Sequence, residues 1–168
     1  MRLPSPIQLE QVQQRLDDCL ALVQEQLKFT PPRPLLTFTQ RGRIAGTARL
    51  QANEIRLNPV LLRDNLHEFL EEVIPHELCH LLVWQLHGRG TKARPVRPHG
   101  AQWKQLMWEV FGLKGSACHR MDVSKVQGRQ FNYQCRCGPV KLSVRRHNRV
   151  QQGVTYICRH CRQSLQAA

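Results

Sequence analysis

Residues 73–88 read VIPHELCHLLVWQLHG, and this run limits the architecture more than any other stretch of the 168-residue chain. Val73 continues a stripe begun by Leu66, Phe69 and Leu70, while Ile74, Leu78, Leu81 and Leu82 cover a second side. A helix that is apolar on more than one side has to be surrounded, so the run predicts the central core element with the other elements packed about it. Yet it carries His76, Glu77 and His80. Two histidines four residues apart project from the same face and can converge on one ion. Zinc takes imidazole nitrogens about 2.0–2.1 Å away in a tetrahedron, and such a pair supplies two corners. Glu77, about 100° further round, misses the ion but reaches a water bound there, the position of a general base. Pro75 removes a backbone donor and predicts a kink or restart of the helix just ahead of the ligands. Cys79 reads as a small core residue.

A catalytic zinc takes three protein ligands and keeps one position for water. His87, Glu109 and His99 are the candidates. In an unbroken helix His87 lies about 16 Å along the axis from His76, and it suits a helix C-terminus before Gly88. Glu109 falls in mid-helix. His99 follows a Gly/Pro-rich basic loop, GRGTKARPVRP, long enough to fold back, and it opens the next helix, so it is favoured.

The remaining elements follow from periodicity. Ser5, Pro6 and Gln8 form a capping signature for a helix over 6–29, with Leu9, Val12, Leu16, Leu20, Val23 and Leu27 as its stripe. LLTFTQ, GTARLQ and EIRLN alternate like short strands and read as an antiparallel meander. Asp64 reads as the cap of the helix that leads into the central run. Trp103, Leu106, Met107 and Val110 give a further amphipathic helix.

Charge divides the chain. Residues 114–168 carry eleven Lys/Arg against one acid, Asp122, and so hold most of the net +13. That footprint predicts a polyanionic partner, nucleic acid first. No apolar stretch is long enough to cross a bilayer, and the N-terminus lacks a signal-peptide apolar region. A cytoplasmic protein without membrane partners is therefore expected, in which seven cysteines stay reduced and cluster around metal rather than in disulfides.

The tail contains YQCRCG and YICRHC. Cys135, Cys137, Cys158 and Cys161 give the four thiolates of a closed structural zinc site, although the first pair is one residue short of C-x-x-C, so that His147 or His160 could replace a cysteine. Around them lie Lys141, Arg145, Arg146, Arg149, Arg159 and Arg162, with Tyr133 and Tyr156 between, a composition suited to phosphates and unpaired bases. Arg89, Lys92, Arg94 and Arg97 add cations in the loop between two proposed ligands. Cys118 and His119 fall in a connector.

PHELCH, then PHGAQWKQLM, then the two cysteine knuckles in a basic tail resemble the bacterial SprT family, related to the Spartan-type proteases that degrade proteins crosslinked to DNA. The resemblance implies an α+β fold: a zincin-like core of N-terminal helix, small antiparallel sheet, central metal-binding helix and a further helix, with a zinc-ribbon-like β subdomain behind it. It places zinc on His76, His80 and His99 and catalysis on Glu77. The expected layout is a metalloprotease domain over 1–113, a connector over 114–130 and a basic ribbon over 131–168. Function is expected to be zinc-dependent cleavage of DNA-bound proteins, with one catalytic and one structural Zn2+ and a single-stranded or junction-like DNA partner. A catalytically silent, zinc-stabilised nucleic-acid-binding module is the rival reading, and an RNA-associated hydrolase the third.

Overall fold

A computed structural model describes residues 3–115 and 121–168, so Cys118 and His119 lie outside the described residues. The chain forms two compact units, 1–126 and 127–168.

The first unit opens with helix α1, Pro6–Leu27, whose start is a reciprocal cap: the Gln8 amide donates to Ser5 Oγ and the Ser5 amide to Gln8 Oε1. Lys28 then adopts a left-handed conformation and ends the helix. Val12, Leu16, Cys19 and Val23 form its buried stripe. Strands β1 (Leu35–Thr37), β2 (Gly46–Arg49) and β3 (Glu54–Leu57) make one sheet in the order β1-β3-β2. β2 and β3 are an antiparallel hairpin, but β1 runs parallel to β3. The sheet is therefore mixed, and the expected meander is corrected: the connection from 38 to 45 is long enough to carry the chain past β3, leaving β2 as an edge.

Helix α2, Pro59–Asp64, is capped by Asn58, whose side chain accepts from the Val60 and Leu61 amides and donates to the Gly42 and Ile44 carbonyls. Asp64 is not the cap of the next helix, contrary to expectation; it pairs with Arg63 and Lys125. That helix, α3, is one turn, Leu66–Glu68, and continues through a π-helical turn, Phe69–Val73, into α4, Ile74–His87. Pro75, second in α4, explains the restart. In the widened register the Ile74 amide bonds the Phe69 carbonyl, and the next donor would be the N–H that proline lacks. The Leu70 carbonyl takes Arg15 Nε of α1 instead, at 2.8 Å.

α4 is surrounded as its sequence requires: Ile74, Leu78, Leu81 and Leu82 are essentially inaccessible, each burial contributing about 1.5–3 kcal/mol. It packs on α1, on β2 and on α5, Ala101–Phe111. Gly112, at φ 65°, closes α5. Residues 121–126, assigned from sequence to a connector, belong to this core: Met121 is buried, and Val123 and Val126 pack against it.

The second unit pairs β4 (Gln130–Cys135) with β5 (Gly138–Ser143) across the two-residue turn Arg136–Cys137, and β4 with the short β6 (Gln166–Ala167). Helix α6, Val144–Gln151, follows β5. Tyr133 and Leu142 are the buried apolar side chains of this unit.

Candidate metal centres

His76 and His80, one turn apart on α4, and His99, just before α5, bring their Nε2 atoms to 3.0–3.1 Å from one another. Mutual hydrogen bonding does not account for this. A neutral imidazole has one N–H, directed along its own ring plane, and three Nε2 atoms in a triangle cannot all be served by it. Tetrahedral zinc with nitrogen ligands about 2.0–2.1 Å away separates them by about 3.3–3.4 Å. The triangle has the size of one face of that tetrahedron, and three neutral nitrogens leave a fourth position for a reactant. Burial, together with the neighbouring His76 and His99, lowers His80 to about pH 3, so the site disfavours protons on its nitrogens. His99 is lowered too, by burial.

His99 reaches the site through local chemistry. Its φ of 56° is left-handed, a conformation that costs a non-glycine residue about 1–3 kcal/mol and turns the imidazole back from the loop. Gly100 bonds the Arg97 carbonyl at 3.0 Å, and a Cβ there would stand 2.9 Å from that oxygen, so the position accepts only glycine. Trp103, in the first turn of α5 and 1% exposed, packs its ring against all three imidazoles, with centroids 4.7–5.6 Å away. Its Nε1 donates to the His76 carbonyl at 3.4 Å. In the sequence Trp103 reads as ordinary helix core; its service to the ligand rings was missed, and its spacing four residues after His99 is the only available signal.

Glu77 is 7% exposed and lines the same cleft of about 970 Å³ as the histidines. Burial pushes its carboxyl up to about 7, with the Ala48 amide of β2 pulling partly back. β2 approaches so closely that a Cβ on Gly46 would lie 2.9 Å from Glu77 Cγ. His87 ends α4, and Glu109 sits exposed on α5 with Gln105 donating to it; neither belongs to the histidine cluster.

In the second unit the Sγ atoms of Cys135, Cys137, Cys158 and Cys161 lie within 4.8 Å of one another. Zinc–thiolate bonds of about 2.3 Å separate sulfurs by about 3.8 Å, so four thiolates of this spacing fit a closed site. The amides of Cys161 and His160 hold Cys158 below the usual thiol range, and the Gln163 amide helps bring Cys161 to about 6. Cys137 is pushed up to about 12 by its hydrogen bond with Cys161. The C-x-C pair suffices because Arg136–Cys137 forms a hairpin turn, so no histidine has to substitute. His147 is engaged elsewhere, stacked on Phe131 with centroids 3.6 Å apart and bonded to Tyr133 Oη at 3.0 Å. His160 Nδ1 lies 3.5 Å from Cys137 Sγ, beside the cluster. Tyr133, buried and bonded, is not available to stack on a base, which corrects that expectation.

The cations fall into groups. Lys141, Arg145, Arg146, Arg149, Arg159 and Arg162 are all exposed on the second unit. The loop 89–98 is a small hairpin with a bridge from Gly90 to Pro95; Lys92 and Arg94 stand near its tip, while Arg89 and Arg97 at its base line a cavity next to His80.

Fold and sites define an α+β protein with a three-imidazole centre, followed by a four-thiol ribbon. The model of the SprT-like family matches residues 16–121, and that of the SprT-like zinc ribbon domain matches residues 129–168. The chain is 48% identical over 149 residues to Protein SprT of Vibrio parahaemolyticus, covering 88% of this chain and 87% of that one. It is 42% identical to Protein SprT of Shewanella oneidensis, over 95% of this chain and 99% of that one, and 47% identical to Protein SprT of Escherichia coli, over 99% and 97%. No solved structure matches the chain significantly. The chain belongs to the SprT-like family.

Among the described residues no helix is long and apolar enough to cross a membrane.

Proposed function

We propose that the protein is a zinc metalloprotease of the SprT type that acts on proteins bound or crosslinked to DNA. The observation that carries this reading is the triangle of Nε2 atoms at 3.0–3.1 Å with the Glu77 carboxyl in the same cleft. His76, His80 and His99 would hold a zinc ion, which would supply Lewis acidity toward the scissile carbonyl and the attacking water. Glu77 accepts the proton of that water and delivers it to the leaving amine. The Ala48 amide and the closely packed Gly46 keep the carboxyl in place, and Trp103 keeps the three rings from turning. An extended polypeptide in the cleft meets the edge strand β2, whose outward backbone groups other than the Ala48 amide can bond it as an added strand.

Nucleic acid is the proposed second partner, held by phosphate contacts from Lys92 and Arg94 and from the six ribbon cations. The ribbon cysteines hold a structural zinc that shapes this surface. Free thiols of this kind support a cytoplasmic location as part of the same reading.

The test is cleavage of a DNA-bound protein by the full chain beside its Glu77→Gln variant, with metal analysis of both. Two zinc per chain in each, with the rate falling about 10²–10⁴-fold or more in the variant, is the expected result. Tight nucleic-acid binding with no proteolysis by the unaltered chain would leave the silent binding module as the function.

A further inference from the structure

Beside the cleft lies a second cavity of about 630 Å³, and the two share Leu50, His80 and Pro98 as walls. Whatever enters the second cavity is thus continuous with whatever lies over the histidines. Its apolar surfaces include Val83 and Trp84 of α4 and Trp103 of α5. Its polar lining is Arg49, Arg89 and Arg97 with Gln51 and His80, and no carboxylate lines it among the described residues. The cations are not consumed internally. Arg89 and Arg97 have no ion pair among the described residues, Arg89 lying over the Trp84 ring at 5.7 Å. Arg49 stands 3.9 Å from Glu54, whose nearer partner is Arg56 at 3.0 Å.

The placement of Arg89 and Arg97 is built in. The Val96 amide bonds the Arg89 carbonyl at 3.1 Å and Gly90 bridges Pro95, which brings the two ends of the loop together. Gly90 has φ 71°, and a Cβ there would collide with the Arg94 carbonyl, so the hairpin is available to this sequence because residue 90 is glycine.

We infer that this cavity is a substrate subsite that takes an acidic side chain, Asp or Glu, of the polypeptide held over the histidines. The inference rests on the protease reading. A carboxylate is compact, planar and matched to the guanidinium fork, and the methylenes of Glu suit the indole and valine walls. The three arginines, although exposed, gather on a cavity that opens beside the histidines where the polypeptide lies, whereas Lys92 and Arg94 stand away from it near the hairpin tip.

The test measures binding in full-length Glu77→Gln protein, which holds substrate without cleaving it. Fluorescein-labelled twelve-residue peptides, identical except for one central Glu, Gln or Lys, are titrated by anisotropy. The Glu peptide should bind about tenfold more tightly than the Gln peptide, and R89E/R97E should abolish or invert that preference in favour of Lys. The pair R41E/K104E, which removes the same charge from outside the cavity, should keep it. Equal binding of the three peptides overturns the inference, as does a preference that R41E/K104E abolishes equally. It is also overturned if R89E/R97E weakens binding of a labelled oligothymidylate while the peptides remain undiscriminated, which would assign these arginines to nucleic acid. Failure of the protease reading appears separately, as absence of cleavage by the chain that retains Glu77.

Discussion

The two metal-type clusters of this chain reach comparable geometry from opposite starting points. In the first unit two of the three imidazoles sit on α4 and the third just ahead of α5, and the positions of these helices are set by a large core of α1, α4, α5 and β3, with Phe69, Ile74, Leu78, Leu81, Leu82 and Trp103 fully or nearly buried. In the second, Tyr133 and Leu142 are the buried apolar side chains, and the four thiols come from two turns at the ends of short strands. Hydrophobic burial organises the first site. The second, with two buried apolar side chains, has its thiol cluster as the main feature that could hold its knuckles together. An open site with a spare position can be built only where the scaffold does not need that ion, and a closed site is the way a piece of about forty residues becomes stable.

Chelation tests this contrast most severely. Removing metal should unfold residues 127–168 while α1 and α4 keep their amide protection in hydrogen exchange. Structural zinc contributes about 10–16 kcal/mol in isolated zinc modules, whereas burying Tyr133 and Leu142 contributes about 1.5–3 kcal/mol each. Simultaneous loss of protection in both units, or in neither, would break the contrast.

Trp103→Ala sharpens it from the other side. Loss of the ring should cost the first unit about 3–5 kcal/mol in chemical denaturation and release zinc from the histidines, with the ribbon's zinc retained. Arg15→Met should cost about 1–3 kcal/mol in the same experiment, because the Leu70 carbonyl loses its donor beside Pro75. The smallest effect belongs to Asp64, held well below its ordinary 3.8 by Arg63 and then Lys125. A carboxyl lowered on folding stabilises above its unfolded value and ceases to do so as pH falls through the folded one. Asp64→Asn should therefore flatten the acid side of the first unit's stability curve below about pH 4, by less than about 1 kcal/mol.

Much of this was legible in the chain. The spacing of His76, Glu77 and His80 fixes their relative directions through helix geometry alone, and Ser5 with Gln8 announces the start of α1 by local hydrogen bonding. The four cysteines were identifiable by type and spacing, and the C-x-C pair became understandable once Arg136–Cys137 proved to be a hairpin turn. Other features were not legible. That β1 pairs with β3 in parallel depends on which strand reaches the sheet edge, a non-local matter that alternation does not encode. Asn58 caps α2 and Asp64 does not cap α3, because both choices depend on loops folded against them. Tyr133 looked like a stacking residue until the structure placed His147 against its hydroxyl.

By itself the sequence determined that α1, α4, α5 and the three strands of the first unit would form and which side chains those helices would present, since 3.6-residue periodicity, capping and turn chemistry act within a few neighbours; α2 and α6 were not read from it. Tertiary structure decided what those side chains meet: Arg15 at the Leu70 carbonyl, 55 residues away, Trp103 against three imidazoles, and Arg89 and Arg97 at a cavity while Lys92 and Arg94 stay near the hairpin tip. Contacts of that range are chosen by the packing of the whole unit, and no local rule contains them.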